Sequence, residues 1–370
     1  TNSDAPEDST GGRKRADRTG QGRTEDPERV DKDGQRIGST VAATQIPAVR
    51  PESQPQPQSQ LLRIRKQNRK RVHKERLRTS APGRLPVQLL RIGTWNVQGM
   101  ASSAMKVDAL VEVMEQHNVQ VLAITETWIR EQSKDDEIRI HLKTKGWLWE
   151  GRMRLGQNQS APRGSGGVAI MVKQQKDKSS SISVMETKKQ QEGVLWAKVQ
   201  VAGVTMNVGA VYLAPVGTTG GWDVKAEDTV TNMKSFHTDE AGFCRIGHGS
   251  IMLGDFNARV GCGRQTMVWA EGEDMQVSRV LVDEKENKRG KKLLNLCNEV
   301  GLVLATGARG AINEFTCSSQ KGGSVVDHIC VSQDMWRQVL KVGIPLEGDY
   351  EDAVKTDHKL LCVDFQDGRP

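Results

Sequence analysis

Long apolar runs are missing from this sequence of 370 residues. None approaches the roughly 18 residues of a membrane-crossing helix, so no such span is expected. Apolar side chains are scarce overall, at 36%. Globular chains usually reach about 45–50% on a residue set that also counts Gly, so part of this chain is expected to lie outside any core. Cys-x-x-Cys pairs are absent, and no histidine stands at zinc-ligand spacing from Cys244, Cys262, Cys297, Cys317, Cys330 or Cys362. That excludes a zinc-finger reading and favours buried free thiols in a reducing, intracellular compartment. The sequon Asn158-Gln159-Ser160 has no secretory signal to go with it and reads as chance. Internal repeats, heptads and a Tyr/Phe-x-Asp-Asp polymerase signature are missing too. The chain starts at Thr1, as a fragment would, and stops just past its last strand pattern.

What is present is unevenly distributed. The formal charge is +7, yet residues 1–88 hold 19 Lys+Arg against 11 Asp+Glu, leaving 34 against 35 for residues 89–370. Residues 1–60 are poor in aliphatics and rich in Gly, Pro, Ser and Gln. They cannot bury enough apolar surface to offset their ordering entropy and are expected to be disordered. The Pro/Gln run Pro51–Gln58 reads as an extended linker. Residues 61–87 form a basic segment, in which Leu61–Arg78 contains nine basic residues and one Glu. Arg63, Arg65, Lys66, Arg69, Lys70 and Arg71 are its candidate nucleic-acid contacts or nuclear-import signal. Such contacts neutralise phosphates without reading sequence, and the alternative is a solubilising charged tail.

From residue 88 to residue 367 the pattern is globular. Leu89–Trp95, Val119–Ile124, Val168–Val172, Val194–Val201, Val204–Leu213, Leu302–Ala305, Ser324–Val331 and Leu360–Phe365 read as strands. Met105–His117 carries apolar residues at Val107, Leu110, Val111 and Met114, the i, i+3, i+4, i+7 stripe of an amphipathic helix. Gly290–Val300 shows a second such stripe. Many strands with few strict βαβ alternations predict an α+β fold, two sheets face to face with helices outside.

The most informative stretch is Ile251–Gly261, IMLGDFNARVG. A short apolar strand ends at Gly254, and Asp255 and Asn257 follow two residues apart, on one side of an extended chain. Alone, the pair could be an Asx turn bonding its own backbone. Similar polar strand ends recur at Thr94-Trp95-Asn96, Thr125-Glu126-Thr127, Val211–Pro215 with Tyr212, Val325–Ile329 with Asp327, and Thr356-Asp357-His358. A carboxylate inside a strand pattern, as at Asp327, is costly unless paired.

This ordered set resembles the endonuclease/exonuclease/phosphatase superfamily over about residues 89–367. GDFNARVG at Gly254–Gly261, followed by Asn287-Lys288-Arg289-Gly290, is similar to the apurinic/apyrimidinic-like endonucleases of LINE-type non-LTR retrotransposons and host genes derived from them. The resemblance implies a four-layer α/β sandwich and metal-assisted phosphodiester hydrolysis on duplex DNA or, as a further partner, RNA. It implies Glu126, Asn96 and Asp357 as ligands of Mg²⁺, or of Mn²⁺ in its place. It gives Asp255 the attacking water, positioned by Asn257; His358, oriented by Asp327, a phosphate oxygen; and Tyr212 a phosphate hydrogen bond.

Four positions depart from the pattern. Val216 and Gly217 follow Pro215 where Asn is frequent, His328 follows Asp327 where Tyr is, Thr356 replaces Ser, and Gln98 stands where relatives carry an acid. The leading expectation is a Mg²⁺-dependent DNA-nicking endonuclease acting in the nucleus. Alternatives are a phosphodiesterase or phosphatase acting on RNA or phosphoinositides, and a nucleic-acid-binding protein with decayed chemistry. Target choice is expected from loops at Gly151–Gly167 and Gly261–Gly290, which carry Arg152, Arg154, Arg163, Arg264 and Trp269.

Overall fold

The structure, a computed structural model, describes residues 89–100, 104–154, 164–185, 193–215, 249–268, 274–320, 322–345 and 354–366. The expected tail, the basic segment with its candidate contacts, Arg163 and Trp269 lie outside the described residues.

Two six-stranded mixed sheets form the frame. In the first, the strands are β1 (Leu90–Asn96), β2 (Val121–Thr125), β3 (Trp147–Arg152), β4 (Val168–Lys173), β15 (Val339–Gly343) and β16 (Leu361–Phe365), in the order β15-β16-β1-β2-β4-β3. In the second they are β5 (Ser181–Val184), β6 (Val194–Val201), β7 (Val204–Tyr212), β8 (Ser250–Asp255), β11 (Leu302–Leu304) and β14 (Asp327–Ser332), in the order β11-β14-β8-β7-β6-β5. Each sheet has a parallel pair at its centre, β1 beside β2 and β7 beside β8, while the remaining pairs are antiparallel. The sheets pack face to face, β1 on β8 and β2 on β7.

Alternation along the strands explains the layering. Leu90 and Ile92 of β1, Val121 and Ala123 of β2, and Val168, Ile170 and Val172 of β4 join the core shared with the second sheet. The intervening Trp95, Leu122, Ile124, Ala169 and Met171 join a separate outer core. Period-two exposure of opposite faces requires this division. The outer core is closed by α1 (Ala104–Gln116), through Val107, Leu110, Val111 and Met114 as its spacing predicts, and by Ile138 and Leu142 of α2 (Gln132–Thr144). On the other side α3 (Lys288–Glu299) buries Leu293, Leu296 and Cys297, and the short α4 (Gln333–Trp336) buries Met335 and Trp336.

Two regions differ from the sequence reading. Gly261–Gly290 is no simple loop: β9 (Gly263–Val268) and β10 (Asp274–Arg279) pair within it as an antiparallel hairpin. On β10, Val277 and Arg279 are buried, and on β9 Gln265 is. With polar groups at two of these positions, the hairpin has no apolar alternation to read. Likewise α2 buries Asp135 beside Ile138 and Leu142, a stripe too narrow and charged to register as amphipathic. A further hairpin joins β12 (Cys317–Ser319) to β13 (Gly322–Ser324).

Candidate active site

The C-terminal ends of both parallel pairs lie at one edge of the sandwich. Asn96 closes β1 and sits opposite Thr125 of β2, with Glu126 the next residue. Tyr212 closes β7 opposite Asp255, which closes β8, and Asp255 also faces Asp327, the first residue of β14. Gly254 makes this junction possible. Its φ is +153°, and a Cβ there would lie 1.9 Å from the Val211 carbonyl oxygen.

Four of the expected residues form two hydrogen-bonded pairs side by side. Asn96 Nδ2 donates to Asp255 Oδ2 (2.9 Å) and lies 3.4 Å from His358 Nε2. His358 Nδ1 bonds Asp327 Oδ2 at 2.9 Å. Asn96, Asp255, Asp327 and His358 are 0%, 1%, 0% and 5% exposed, so the group is dry. His358 Nε2 stands 3.9 Å from Asp255 Oδ2 and 3.7 Å from Asp357 Oδ1. Outside this group, Asp357 Oδ1 accepts from Gln98 Nε2 at 2.6 Å, so the Gln98 amide holds this carboxylate. The departure at Thr356 is harmless. Its hydroxyl bonds the Asn96 carbonyl (2.7 Å) and accepts from His358 N (3.2 Å), which a Ser hydroxyl would also do.

Asp255-Phe256-Asn257 makes the Asx turn and still has a carboxylate oxygen facing the other site residues. Asn257 N donates to Asp255 Oδ1 (2.9 Å) in an Asx-type turn, with Asn257 at φ +46°, while the other carboxylate oxygen takes the Asn96 amide. The Asn257 side chain anchors the turn after β7, its Nδ2 bonding Leu213 O at 2.8 Å. Glu126 and Tyr212 form an adjoining pair. The Glu126 charge bears on the Tyr212 phenol, and Trp128 Nε1 donates to Glu126 Oε2 at 3.1 Å. Glu126 takes φ +56°, which turns the chain sharply at the strand end.

The electrostatics follow from burial against charge. Desolvation, reinforced by the Asp327 carboxylate, pushes the Asp255 pKa up to about 7 although His358 opposes it. Burial disfavours charge on His358, but the Asp327 carboxylate, its hydrogen bond and the neighbouring Asp255 outweigh it and raise the imidazole well above its usual value. Burial, then the charges of Glu126 and Asp255, raise the Tyr212 phenol well above its ordinary value, so it remains a neutral O–H donor.

Sequence reasoning passed over several supports. Thr316 Oγ1 accepts from Val326 N (3.0 Å) and Asp327 N (3.2 Å), fixing the start of β14. Trp95 Nε1 donates to His358 O at 2.9 Å. Lys106 Nζ donates to Val97 O (2.5 Å) and Gln98 O (3.2 Å), clamping the turn that carries Gln98. None has a local motif, and only the Trp95 bond joins residues far apart in sequence. Of the loop arginines, Arg152 Nη1 binds Val194 O (2.7 Å), Arg154 Nη1 binds Ser165 Oγ (2.6 Å), and Arg264 is exposed.

The donor set suits a hard divalent cation, which takes oxygen ligands and keeps several waters. Glu126 and Asp357 offer partly exposed carboxylates beside Asn96, whose amide nitrogen is committed to Asp255. Asp255, Asp327 and His358 also have ligand atoms within 4.8 Å of one another. They are buried and already bonded to each other or to Asn96, so Glu126 and Asp357 are the better carboxylates for a hydrated ion.

Residues 93–358 match the endonuclease/exonuclease/phosphatase family. The chain belongs to this family. Its members are nucleases and phosphatases, hydrolases that generally depend on a divalent metal. Among solved structures, the AP endonuclease LMAP of Leishmania major is 15% identical with a TM-score of 0.55, covering 79% of this chain and 92% of its own. The 3′ phosphatase NExo of Neisseria, bound to a product DNA hairpin, is 20% identical with a TM-score of 0.51, covering 75% and 99%. The endonuclease domain of TRAS1, a telomere-specific non-LTR retrotransposon, is 15% identical with a TM-score of 0.49, covering 75% and 99%. At these identities the likeness is one of fold. No curated protein matches the sequence.

Proposed function

We propose that this family member is a metal-dependent endonuclease that nicks DNA, with Mg²⁺, or Mn²⁺ in its place, as its cation. One observation carries the reading: Asn96, Asp255, Asp327 and His358, drawn from separate segments, converge at one dry spot, where the Asn96–Asp255 and His358–Asp327 hydrogen-bonded pairs meet with His358 Nε2 3.9 Å from Asp255 Oδ2. An arrangement of this kind is preorganised to move a proton and stabilise a developing negative charge.

In this mechanism Asp255 accepts the proton of the attacking water as its oxygen bonds to phosphorus, the ester bond to the leaving oxygen breaks, and that oxygen takes a proton from solvent. Asn96 holds one carboxylate oxygen and the Asn257 backbone N–H the other, so the base cannot rotate away. Asn257 is thus a positioning residue, acting through its backbone on Asp255 and through its side chain on the Leu213 turn. His358, charged because Asp327 faces Nδ1, donates from Nε2 to a non-bridging phosphate oxygen. The Tyr212 hydroxyl donates to the same phosphate. Glu126 and Asp357, with Asn96, would hold the cation, which supplies charge neutralisation at the phosphate and the leaving oxygen.

The basic residues Arg63, Arg65, Lys66, Arg69, Lys70 and Arg71 add phosphate-backbone contacts ahead of a catalytic domain spanning residues 88–367, and direct the protein to the nucleus. Duplex DNA is the favoured substrate, with RNA the competitor to exclude. The test is conversion of supercoiled plasmid to open circle by the full chain, with Mg²⁺ or EDTA, beside His358→Ala. Nicking that needs Mg²⁺ and is lost in the variant supports the reading. Equal nicking by folded His358→Ala, or nicking that survives EDTA, refutes it.

A further inference from the structure

Cys317 has no part in this mechanism, yet it is held against the catalytic histidine. It pairs with His358 in an isolated antiparallel bridge, flanked by Ser318 N donating to Asp357 O (2.8 Å) and Lys359 N to Thr316 O (2.8 Å). The β12–β13 hairpin fixes the residue from its other side. As a result the Cys317 thiol, the Asp357 carboxylate and the His358 imidazole place ligand atoms within 4.8 Å of one another.

Two ligands of one tetrahedral zinc, at bond lengths of ~2.0–2.3 Å, stand roughly 3.3–3.8 Å apart. His358 Nε2 and Asp357 Oδ1 are already 3.7 Å apart. His358 turns Nε2 toward this group because Nδ1 is taken by Asp327, and a carboxylate behind an imidazole is the usual outer partner of a zinc-bound histidine. Asp357 likewise has an outer partner in Gln98 Nε2. Cys317 and Asp357 are only partly buried, so water can complete a fourth position. Thiolate and imidazole ligands select Zn²⁺ over Mg²⁺, whose preference is for oxygen.

We infer that Cys317, Asp357 and His358 form a zinc site overlapping the catalytic centre, and that its occupation switches the centre off. Zinc on Nε2 removes the donor that faces the phosphate and withdraws Asp357 from the Mg²⁺ position. The exchange with the metal aquo ion balances: the Cys317 thiol proton and the His358 Nε2 proton pass to solvent as the sulfur–zinc and nitrogen–zinc bonds form and bound waters leave. The inhibition half of the inference rests on the proposed nuclease activity; the binding half does not.

The test uses the full chain and the metals alone. Zn²⁺ affinity is measured by competition with a chromophoric chelator, and Co²⁺ is added to read thiolate-to-metal absorption. Wild type should take up Zn²⁺ and show the thiolate band with Co²⁺. Cys317→Ser should lose the band and bind Zn²⁺ at least about 100-fold more weakly, since even outer partners of a metal site are worth ~10–100-fold. Cys262→Ser, at an exposed cysteine elsewhere, should match wild type. In the plasmid assay Cys317→Ser should nick normally with Mg²⁺ and resist Zn²⁺ concentrations that stop the wild type. Equal Zn²⁺ affinity in wild type and Cys317→Ser, or a Co²⁺ spectrum without a thiolate band, overturns the site. Tight binding that leaves Mg²⁺-driven nicking intact overturns the switch. A protein that binds Zn²⁺ as expected but never nicks DNA keeps the site and refutes the proposed activity instead.

Discussion

His328, next to the proposed catalytic residue Asp327, should make the fold acid-sensitive by a calculable amount. The ring is wholly buried, and its Nε2 lies 2.7 Å from the Ala258 carbonyl oxygen. A carbonyl can only accept, so the neutral ring carries its proton on Nε2. Nδ1 has no partner among the described residues, and the ring leans on Phe256 with centroids 6.2 Å apart. Burial lowers the pKa from 6.5 to about 4, although the Ala258 carbonyl and the Asp327 charge favour the proton. At pH 7 the folded ring is neutral and only about a quarter of unfolded chains are protonated here, so the group contributes little. Below pH 6.5 the unfolded chain gains a proton that the folded ring refuses, so stability falls as pH drops, and the loss is complete below about 4. The full loss is on the order of 3 kcal/mol, of which about 2 kcal/mol is gone by pH 5. His328→Gln keeps an N–H for Ala258 and cannot titrate. Urea denaturation of both proteins at pH 7 and pH 5 isolates this group, because every other carboxylate and histidine is shared. The variant should lose about 1 kcal/mol at pH 7 through poorer packing. Between pH 7 and pH 5 it should lose about 2 kcal/mol less than the wild type. Parallel losses in the two proteins would refute the assignment of a buried, neutral His328.

The proposed catalytic group makes a matching prediction about rate. Activity should rise with pH through about 7 as Asp255 ionises and fall again well above the ordinary histidine range as His358 loses its proton. Asp327→Asn removes the charge that sustains the imidazolium, so the alkaline limb of kcat/KM should move to lower pH, with kcat reduced about 10²–10⁴-fold; an unmoved limb would show that His358 does not act as the cation. Gly254→Ala drives a Cβ against the Val211 carbonyl at a backbone angle that side chains avoid. It should cost more than about 3 kcal/mol in urea denaturation, and a loss below about 1 kcal/mol would mean that β7 and β8 can separate freely.

The sandwich was legible because its central strands carry their own apolar patterns, and α1 because its stripe has a regular period. The strand-end polar residues were legible as a set for a topological reason. Parallel pairs put their C-terminal ends on one edge, so Asn96, Glu126, Tyr212 and Asp255 meet there although far apart in sequence. What stayed hidden was everything decided by contacts that no local motif announces. The β9–β10 hairpin buries Gln265 and Arg279, and the partners of Asp327 and Asp357 come from Thr316 and Gln98.

The family-branch residues around Asn257 and Gly290 show how a sequence signature and a catalytic role can separate. Arg259 donates Nε to Asp283 Oδ2 (2.8 Å) and Nη2 to the other carboxylate oxygen, a bidentate pair in which Asp283 is nearly buried. The same Asp283 Oδ2 accepts from Val325 N at 2.9 Å, two residues before Asp327. Asn287 caps α3 by accepting from Gly290 N (2.7 Å), and its side chain also accepts from Arg259 N (3.2 Å). A Cβ on Gly290 would stand 1.9 Å from the Arg259 carbonyl oxygen, so glycine is what lets the helix start this close. None of these residues belongs to the proposed chemistry. They tie the segment after Asp255 to the segment before Asp327, and so hold the two carboxylates that flank His358 in register. The motif is informative about function because it stabilises the geometry in which Asp255 and Asp327 can act.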